Sequence, residues 1–335
     1  MAKKEYTAVL FLDVKSAFDD ISTNSIINAL IVMGLPESVC LFYYNLISKR
    51  NIYLNINGQS FGPYISLKGV PQGCVSSPTL YNIGVDHLED VIDQSCNMLN
   101  FADDIAVYSS SKNLDQTLIN LEHNLTKINN HLASRGLSIP AAKTKLVIFS
   151  KRKISPNDYS ITFNDEIITN SSKATFLGVT FDSNMSFEAH YNNLMNKLNN
   201  HCNIIRSLCF TWWGSHPSCL TMIYKALFVG TFDYSAIILQ PNTKQWNKFG
   251  IIQRRALRAI LGLRNSTPNK IVYAETKQQP LFIRQNYHIS KYILRCFSHI
   301  NLPTINSLRT FSNLISQHSP LPSKPPHSQY LQRLV

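Results

Sequence analysis

At 335 residues and 44% hydrophobic content the chain is long enough for two compact units, and it has no run of 18 or more uncharged apolar residues, which argues against membrane insertion. Its net charge of +12 is polarised: residues 1–182 carry 15 Lys and Arg against 17 Asp and Glu, whereas residues 183–335 carry 17 against 3, a cationic half suited to a polyanion. Lys3 and Lys4 precede an apolar run that Asp13 cuts short with no cleavage pattern after it, so a signal peptide is excluded and an intracellular protein is expected.

In chain order, Val9 to Val14 reads as a buried strand with Asp13 near its end, followed at once by Ala17-Phe18-Asp19. Ser22 to Ser25 supplies N-cap chemistry for a helix over 26–33 that stops at Gly34-Leu35-Pro36, and a second helix runs from Glu37 to about Arg50. Ile52 to Ile56 alternates toward the turn Asn57-Gly58, which predicts a hairpin. The spacing of Leu80, Ile83, Leu88, Val91 and Ile92 predicts a helix from Ser76 to about Gln94, with Gly69 to Gly73 as the loop at its N-terminal end. Leu99 to Tyr108 frames a strand–turn–strand around Asp103-Asp104. From Leu114 to Leu132, leucines and Ile128 recur at three- and four-residue steps, an amphipathic helix ending at Arg135-Gly136, and the strand 145–149 follows. Lys151 to Asp158 reads as a loop into further hairpins (159–168 and 174–181), and the pattern is mostly helical from about Phe187. The last 30 or so residues, rich in Ser, Pro and His, are expected to be poorly ordered. Paired strands alternating with covering helices predict an antiparallel sheet with helices on one face, an α+β fold.

Two adjacent carboxylates at a tight turn call for a cation between them. With Asp13 from a neighbouring strand, Asp103 and Asp104 form an oxygen-rich set suited to Mg²⁺, and two such ions about 4 Å apart can stabilise the attacking and leaving oxygens of an in-line phosphoryl transfer. The seven cysteines are odd in number, scattered and without a Cys-x-x-Cys pair, so reduced, mostly buried thiols are expected. His201, Cys202, Cys209, His216 and Cys219 fit no usual zinc spacing.

These blocks, with Gly69-Val70-Pro71-Gln72-Gly73-Cys74-Val75-Ser76-Ser77-Pro78 between them, resemble in order and spacing the reverse transcriptase of a non-LTR, jockey-like retrotransposon. Asp13 resembles the family's motif A, Pro71-Gln72-Gly73 motif B, Phe101-Ala102-Asp103-Asp104 motif C, Gly136-Leu137 through Lys143-Thr144 motif D, and Phe176 to Val179 motif E. Gln253 to Arg258 with Leu261-Gly262, then Pro280-Leu281, resembles the segment that follows the polymerase. The resemblance implies a polymerase palm over 1–150, hairpins over 151–182, a helical basic thumb over 183–265 and a C-terminal helical region over 266–335. It implies an RNA-directed DNA polymerase acting on an RNA template, a DNA primer and deoxynucleoside triphosphates with two Mg²⁺, or Mn²⁺, ions.

By the same resemblance Asp13 and Asp103 bridge the metals, the Val14 carbonyl is a further ligand and Asp104 a weaker one. Phe18 presses on C2′ of the incoming sugar and selects deoxynucleotides, while Gln72 and Gly73 support base and sugar. Lys143 protonates or balances the pyrophosphate leaving group, with Lys145 as the competing candidate, and Pro140 stands where the family often has asparagine. Phe176, Leu177 and Gly178 grip the primer end. Arg254, Arg255 and Arg258, within one helical turn, track duplex phosphates. Trp212, Trp213 and Trp246 either stack on bases or fill the helical core. Asp19 is expected to orient the turn into the next helix rather than join the catalytic set.

Only 12 residues precede Asp13, so an N-terminally truncated chain lacking the family's fingers is expected. No endonuclease or RNase H block is visible, and such activities are expected to be supplied elsewhere. An RNA-copying RNA polymerase also carries an Asp-Asp hairpin, but Phe18 and the Pro-Gln-Gly loop argue for reverse transcription. The remaining alternative is a nucleic-acid-binding remnant that cannot turn over.

Overall fold

The computed structural model describes residues 5–150, 154–209 and 214–298. These form two compact units divided between His190 and Tyr191.

The first unit is built on β1 (Tyr6–Asp13). Its Ala8, Leu10 and Leu12 are buried on one face, while Thr7, Val9, Phe11 and Asp13 point to the other, as the period of two requires. After β1 the chain turns through α1 (Ala17–Asp20), α2 (Thr23–Val32) and α3 (Glu37–Ile47) into a hairpin of β2 (Arg50–Ile56) and β3 (Gln59–Ser66). Asn57 and Gly58 both have positive φ (50° and 81°), the geometry that a two-residue hairpin turn needs. The expected hairpin is therefore present, and nearly all its residues are exposed.

A helix does start in the expected place, as α4 (Ser77–Gly84), but it does not reach Gln94. Beyond it lie His87 at φ 63° and a single 3-10 turn, Glu89–Val91. Two contacts distant in sequence stop it. A Cβ on Gly84 would meet Ile21 at 2.6 Å and Ile26 at 2.8 Å, so the helix is pressed against that pair. The Gly84 carbonyl, an orphan at the helix end, accepts from Arg135 Nε at 2.9 Å.

β4 (Asn97–Phe101) and β5 (Asp104–Ser111) form the acid-bearing hairpin, and β5 pairs antiparallel with β1. α5 (Leu114–Ala133) follows, capped by Asn113, whose side chain accepts from Asp115 N at 3.0 Å. Its Leu118, Leu121, Leu125, Ile128 and Leu132 are buried against the Ala8–Leu10–Leu12 face of the sheet. A 3-10 turn, Ala141–Lys143, leads into β6 (Lys145–Phe149), giving the order β4-β5-β1-β6, antiparallel throughout. Two more hairpins complete the unit: β7 (Ser160–Phe163) with β8 (Glu166–Thr169), and β9 (Lys173–Phe176) with β10 (Val179–Asp182). The second covers part of the sheet's other face. Phe176 and Phe181 lie 5.5 and 6.1 Å from Phe11, beside Val147, Phe149 and Ala174, and a mostly apolar cavity of about 920 Å³ remains between hairpin and sheet.

From Tyr191 onward the described chain is helical. α6 (Glu188–Ser207) is followed by α7 (Pro217–Ile223), one wider π turn (Tyr224–Val229), α8 (Gly230–Ser235), α9 (Thr243–Ile260), α10 (Asn269–Thr276) and α11 (Leu281–Ser298). Phe228, Phe232, Phe249 and Leu257 are fully buried in this unit. Trp246 packs on Phe232, Phe249 and Phe282, which favours the packing reading of that indole; Trp212, Trp213 and the C-terminal tail lie outside the described residues. Gln253, 1% exposed, is satisfied at both ends of its amide: Nε2 donates to Tyr224 Oη and the Gln279 carbonyl, and Oε1 accepts from Tyr273 Oη and Leu281 N. No helix among the described residues is long and apolar enough to cross a membrane. Every cysteine among them is free, and Cys40, Cys96, Cys202 and Cys296 are buried.

Candidate active site

The β1–β5 register places Asp13 directly opposite Asp104. Residues opposite one another share a face, so both carboxylates stand on the face away from α5, in line with Phe11 and Ala106. Asp103 occupies the turn just before β5, after Ala102 at φ 55°. Three acids are thus concentrated at one end of the sheet, and their electrostatics show it. Burial, then the charges of Asp103 and Asp13, raise the Asp104 carboxyl above the ordinary aspartate range. Burial, helped by the Asp103 charge, raises the Tyr81 hydroxyl, so that tyrosine stays neutral beside the acids.

Lys143 supplies the opposing charge. Its Nζ donates to Asp13 Oδ2 at 2.7 Å, from a 3-10 turn that β6 and the Leu137–Ile139 segment anchor. Lys145 sits on β6 opposite Phe11, so of the two candidate lysines the acid pair is joined by Lys143. Val14 follows Asp13 with its side chain buried, 3% exposed, at the strand's end.

Phe18 lies on α1, half-buried, and stacks on Tyr81 at 4.9 Å between ring centroids. The Pro71-Gln72-Gly73 loop docks on this same turn: Val70 N donates to the Phe18 carbonyl at 2.7 Å and Gly69 N to the Ile21 carbonyl at 2.8 Å. Gly69 is obligatory, since φ is +76° and a Cβ would stand 2.4 Å from the Asp19 carbonyl oxygen. Gly73, at φ +86°, faces open space.

Sequence reasoning missed the partner of Gln72. Its Nε2 lies 3.0 Å from each carboxylate oxygen of Asp19, an acid expected merely to orient the turn into the following helix. A carboxylate only accepts, so it selects the amide's NH₂ end and turns Oε1 away from itself. The neighbouring Asp20 pairs instead with Lys68 at 2.7 Å. The signal available in the sequence was weak: two adjacent acids after an aromatic, neither of them at a helix N-cap.

Leu177 and Gly178 form the β9–β10 turn with φ of 46° and 74°, and Phe176 on the strand beside them packs on Phe11, two residues before Asp13. Arg254, Arg255 and Arg258 all lie on α9 in the other unit. Arg255 is exposed. Arg258 is engaged locally, its Nη2 donating to the Thr267 carbonyl at 2.8 Å and to Asn269 Oδ1 at 2.9 Å, and Arg254 folds back over Gly250.

In donor type the three acids suit a hard divalent cation, and their mutual repulsion is what such an ion would relieve. Among the described residues, however, no three His, Cys, Asp or Glu side chains are already gathered as a ligand set, and Asp13 Oδ2 is taken by the ammonium.

Residues 1–181 match the family described as reverse transcriptase (RNA-dependent DNA polymerase). The RNA-directed DNA polymerase from mobile element jockey of Drosophila melanogaster is 24% identical over 78% of this chain and 29% of its own length. The probable RNA-directed DNA polymerase from transposon BS, also of Drosophila melanogaster, is 23% identical over 88% of this chain and 33% of its own. The chain therefore spans about a third of the length of these relatives. Among solved structures, apo telomerase from Candida tropicalis aligns with 76% of this chain and 46% of its own at 14% identity, with a TM-score of 0.37, a likeness too slight to carry an argument. With the family match extending from the first residue through the Asp13, Gln72, Asp103-Asp104, Lys143 and Phe176 blocks, this chain belongs to the reverse transcriptase (RNA-dependent DNA polymerase) family and is jockey-like within it.

Proposed function

We propose that the first unit is the palm of an RNA-directed DNA polymerase and that the helical unit begins its thumb, the whole extending a DNA primer on an RNA template. The observation that carries this reading is the direct pairing of Asp13 with Asp104 at one sheet end, with Asp103 in the adjoining turn and Lys143 on Asp13. When bound, two Mg²⁺ ions would supply Lewis-acid stabilisation of the attacking and leaving oxygens.

The chain's own residues do the rest. Asp13 and Asp103 would hold the ions, with the Val14 carbonyl and Asp104 in support. Phe18, braced by Tyr81, forms a rigid wall that leaves no room for a 2′-hydroxyl. Gln72, fixed through Nε2 by Asp19, offers Oε1 as an acceptor toward the nucleotide, and Gly73 keeps the approach open. Lys143 balances or protonates the departing pyrophosphate. The Phe176–Gly178 turn, seated on Phe11, holds the primer end near the acids. Arg255, with the excess positive charge of residues 183–335, tracks duplex phosphates without reading sequence.

The test is primer extension on poly(rA)·oligo(dT) by the chain alone and by the chain joined to the segment that precedes the matched region in its jockey relatives. Mg²⁺-dependent incorporation of dTTP by either form supports the reading. Duplex binding without extension in either form would favour a nucleic-acid-binding remnant.

A further inference from the structure

The ion pair between Lys143 and Asp13 poses a conflict. The proposed chemistry needs the Asp13 carboxylate for a divalent cation and the Lys143 ammonium for a leaving group, yet in this structure each is occupied by the other. We infer that Lys143 is a counter-cation of Asp13 that competes with a divalent ion for the same carboxylate, so that binding of the ion displaces the lysine and frees its ammonium.

Three observations support this. First, the ammonium is placed where a metal would bind. A divalent ion held by Oδ2 would bring its double charge close to the lysine's, so the two cannot share the oxygen without strong repulsion. Second, the lysine is a movable arm on a fixed base. Thr144 N donates to the Pro140 and Ala141 carbonyls at 3.2 and 3.1 Å, and Thr144 Oγ1 donates to the Pro140 carbonyl. Lys15 N, two residues after Asp13, donates to the Ser138 carbonyl at 3.0 Å. Leu137, Ile139 and Thr144 are buried, while the Lys143 side chain is 63% exposed. The backbone on both sides is tied down and the side chain is free to swing. Third, among the described residues Lys143 makes the one ion pair to Asp13, Asp103 or Asp104. Metal binding at Asp13 is thus coupled to release of the cation that acts on pyrophosphate.

The inference rests on the reading of these acids as the metal-holding group, and the experiment separates the two. Mn²⁺ binding to the chain as it stands is titrated by the EPR signal of the free ion, with no activity required. Lys143→Ala and Lys143→Gln should each bind Mn²⁺ more tightly than the parent by about two- to fivefold, the range that an exposed ion pair supports. Lys145→Ala, which removes a nearby exposed charge with no bond to Asp13, should leave the affinity unchanged, and in an Asp13→Asn background Lys143→Ala should give no gain. Equal affinity of parent and Lys143 variants, or an equal gain from Lys145→Ala or in the Asp13→Asn background, would overturn the displacement while leaving the metal site standing. If neither parent nor Lys143→Ala binds Mn²⁺, the acid cluster is no metal site and both readings fall.

Discussion

Asp104→Asn should make the metal-free protein more stable. Asp104 faces Asp13 directly across the β1–β5 ladder and follows Asp103 in the turn, so two like charges act on it, and no salt bridge reaches its carboxylate among the described residues. A like-charged pair directly opposite in a sheet costs about 0.2–1 kcal/mol; with the second acid beside it, the substitution should return about 1 kcal/mol. For a unit the size of residues 1–190 that raises Tm by about 2–4 °C. The sign can be checked against pH. Burial and the two acids raise the Asp104 carboxyl, so the native protein keeps a proton that the unfolded chain has already released in the interval above about pH 4. Stability conferred by that proton is present below the interval and lost as pH rises through it. The advantage of the Asn variant should therefore be small below about pH 4, grow through the interval and level off toward neutrality. Adding Mg²⁺ should narrow the gap, because an ion at ten times its Kd stabilises the parent by about 1.4 kcal/mol and a weakened site by less. The assay is thermal unfolding by circular dichroism of both proteins from pH 3.5 to 8, with EDTA and with Mg²⁺. An Asn variant less stable than the parent in EDTA at pH 7 would refute the reasoning, since it would mean that the Asp104 charge has a favourable partner.

Gly69→Ala forces a side chain into φ +76° and against the Asp19 carbonyl at 2.4 Å, so it should lose about 2 kcal/mol or more by denaturant unfolding; a loss under 0.5 kcal/mol would show that the loop adapts. Asp19→Asn removes the constraint on the Gln72 amide, so in the extended polymerase KM for the nucleotide should rise several-fold with kcat little changed, and an unchanged KM would separate Asp19 from nucleotide binding. RNA:DNA duplex binding should weaken steeply with salt, and Arg255→Ala should flatten the log–log slope by about one while Arg258→Ala, whose guanidinium is bonded to Thr267 and Asn269, should act mainly on stability. An unaltered slope for Arg255→Ala would remove it from the phosphate track.

What could be read along the chain and what could not divide on physical grounds. Strands β1, β5 and β6 and the helix α5 follow from local periodicity, and the β2–β3 hairpin from Asn57-Gly58, because side-chain alternation and turn chemistry are properties of a few consecutive residues. The end of α4 was not legible: Arg135, about fifty residues downstream, takes the Gly84 carbonyl, and Ile21 and Ile26 bring the close packing. In the site, Asp13, Asp103, Asp104 and Gln72 were legible as motif residues. The Asp19–Gln72 bond, the Lys143–Asp13 ion pair and the local engagement of Arg258 were not, since each depends on a contact between segments that only folding brings together.

The central claim is that the acid at Asp103, together with Asp13, holds the ions that drive nucleotide addition, and Asp103→Asn tests it most directly because it preserves shape and removes one charge. In the polymerase joined to its relatives' preceding segment, Mg²⁺-dependent dTTP incorporation on poly(rA)·oligo(dT) should fall by about 10²-fold or more, with binding of the same duplex unchanged. Incorporation near the parent rate would contradict the account and move the metal site elsewhere.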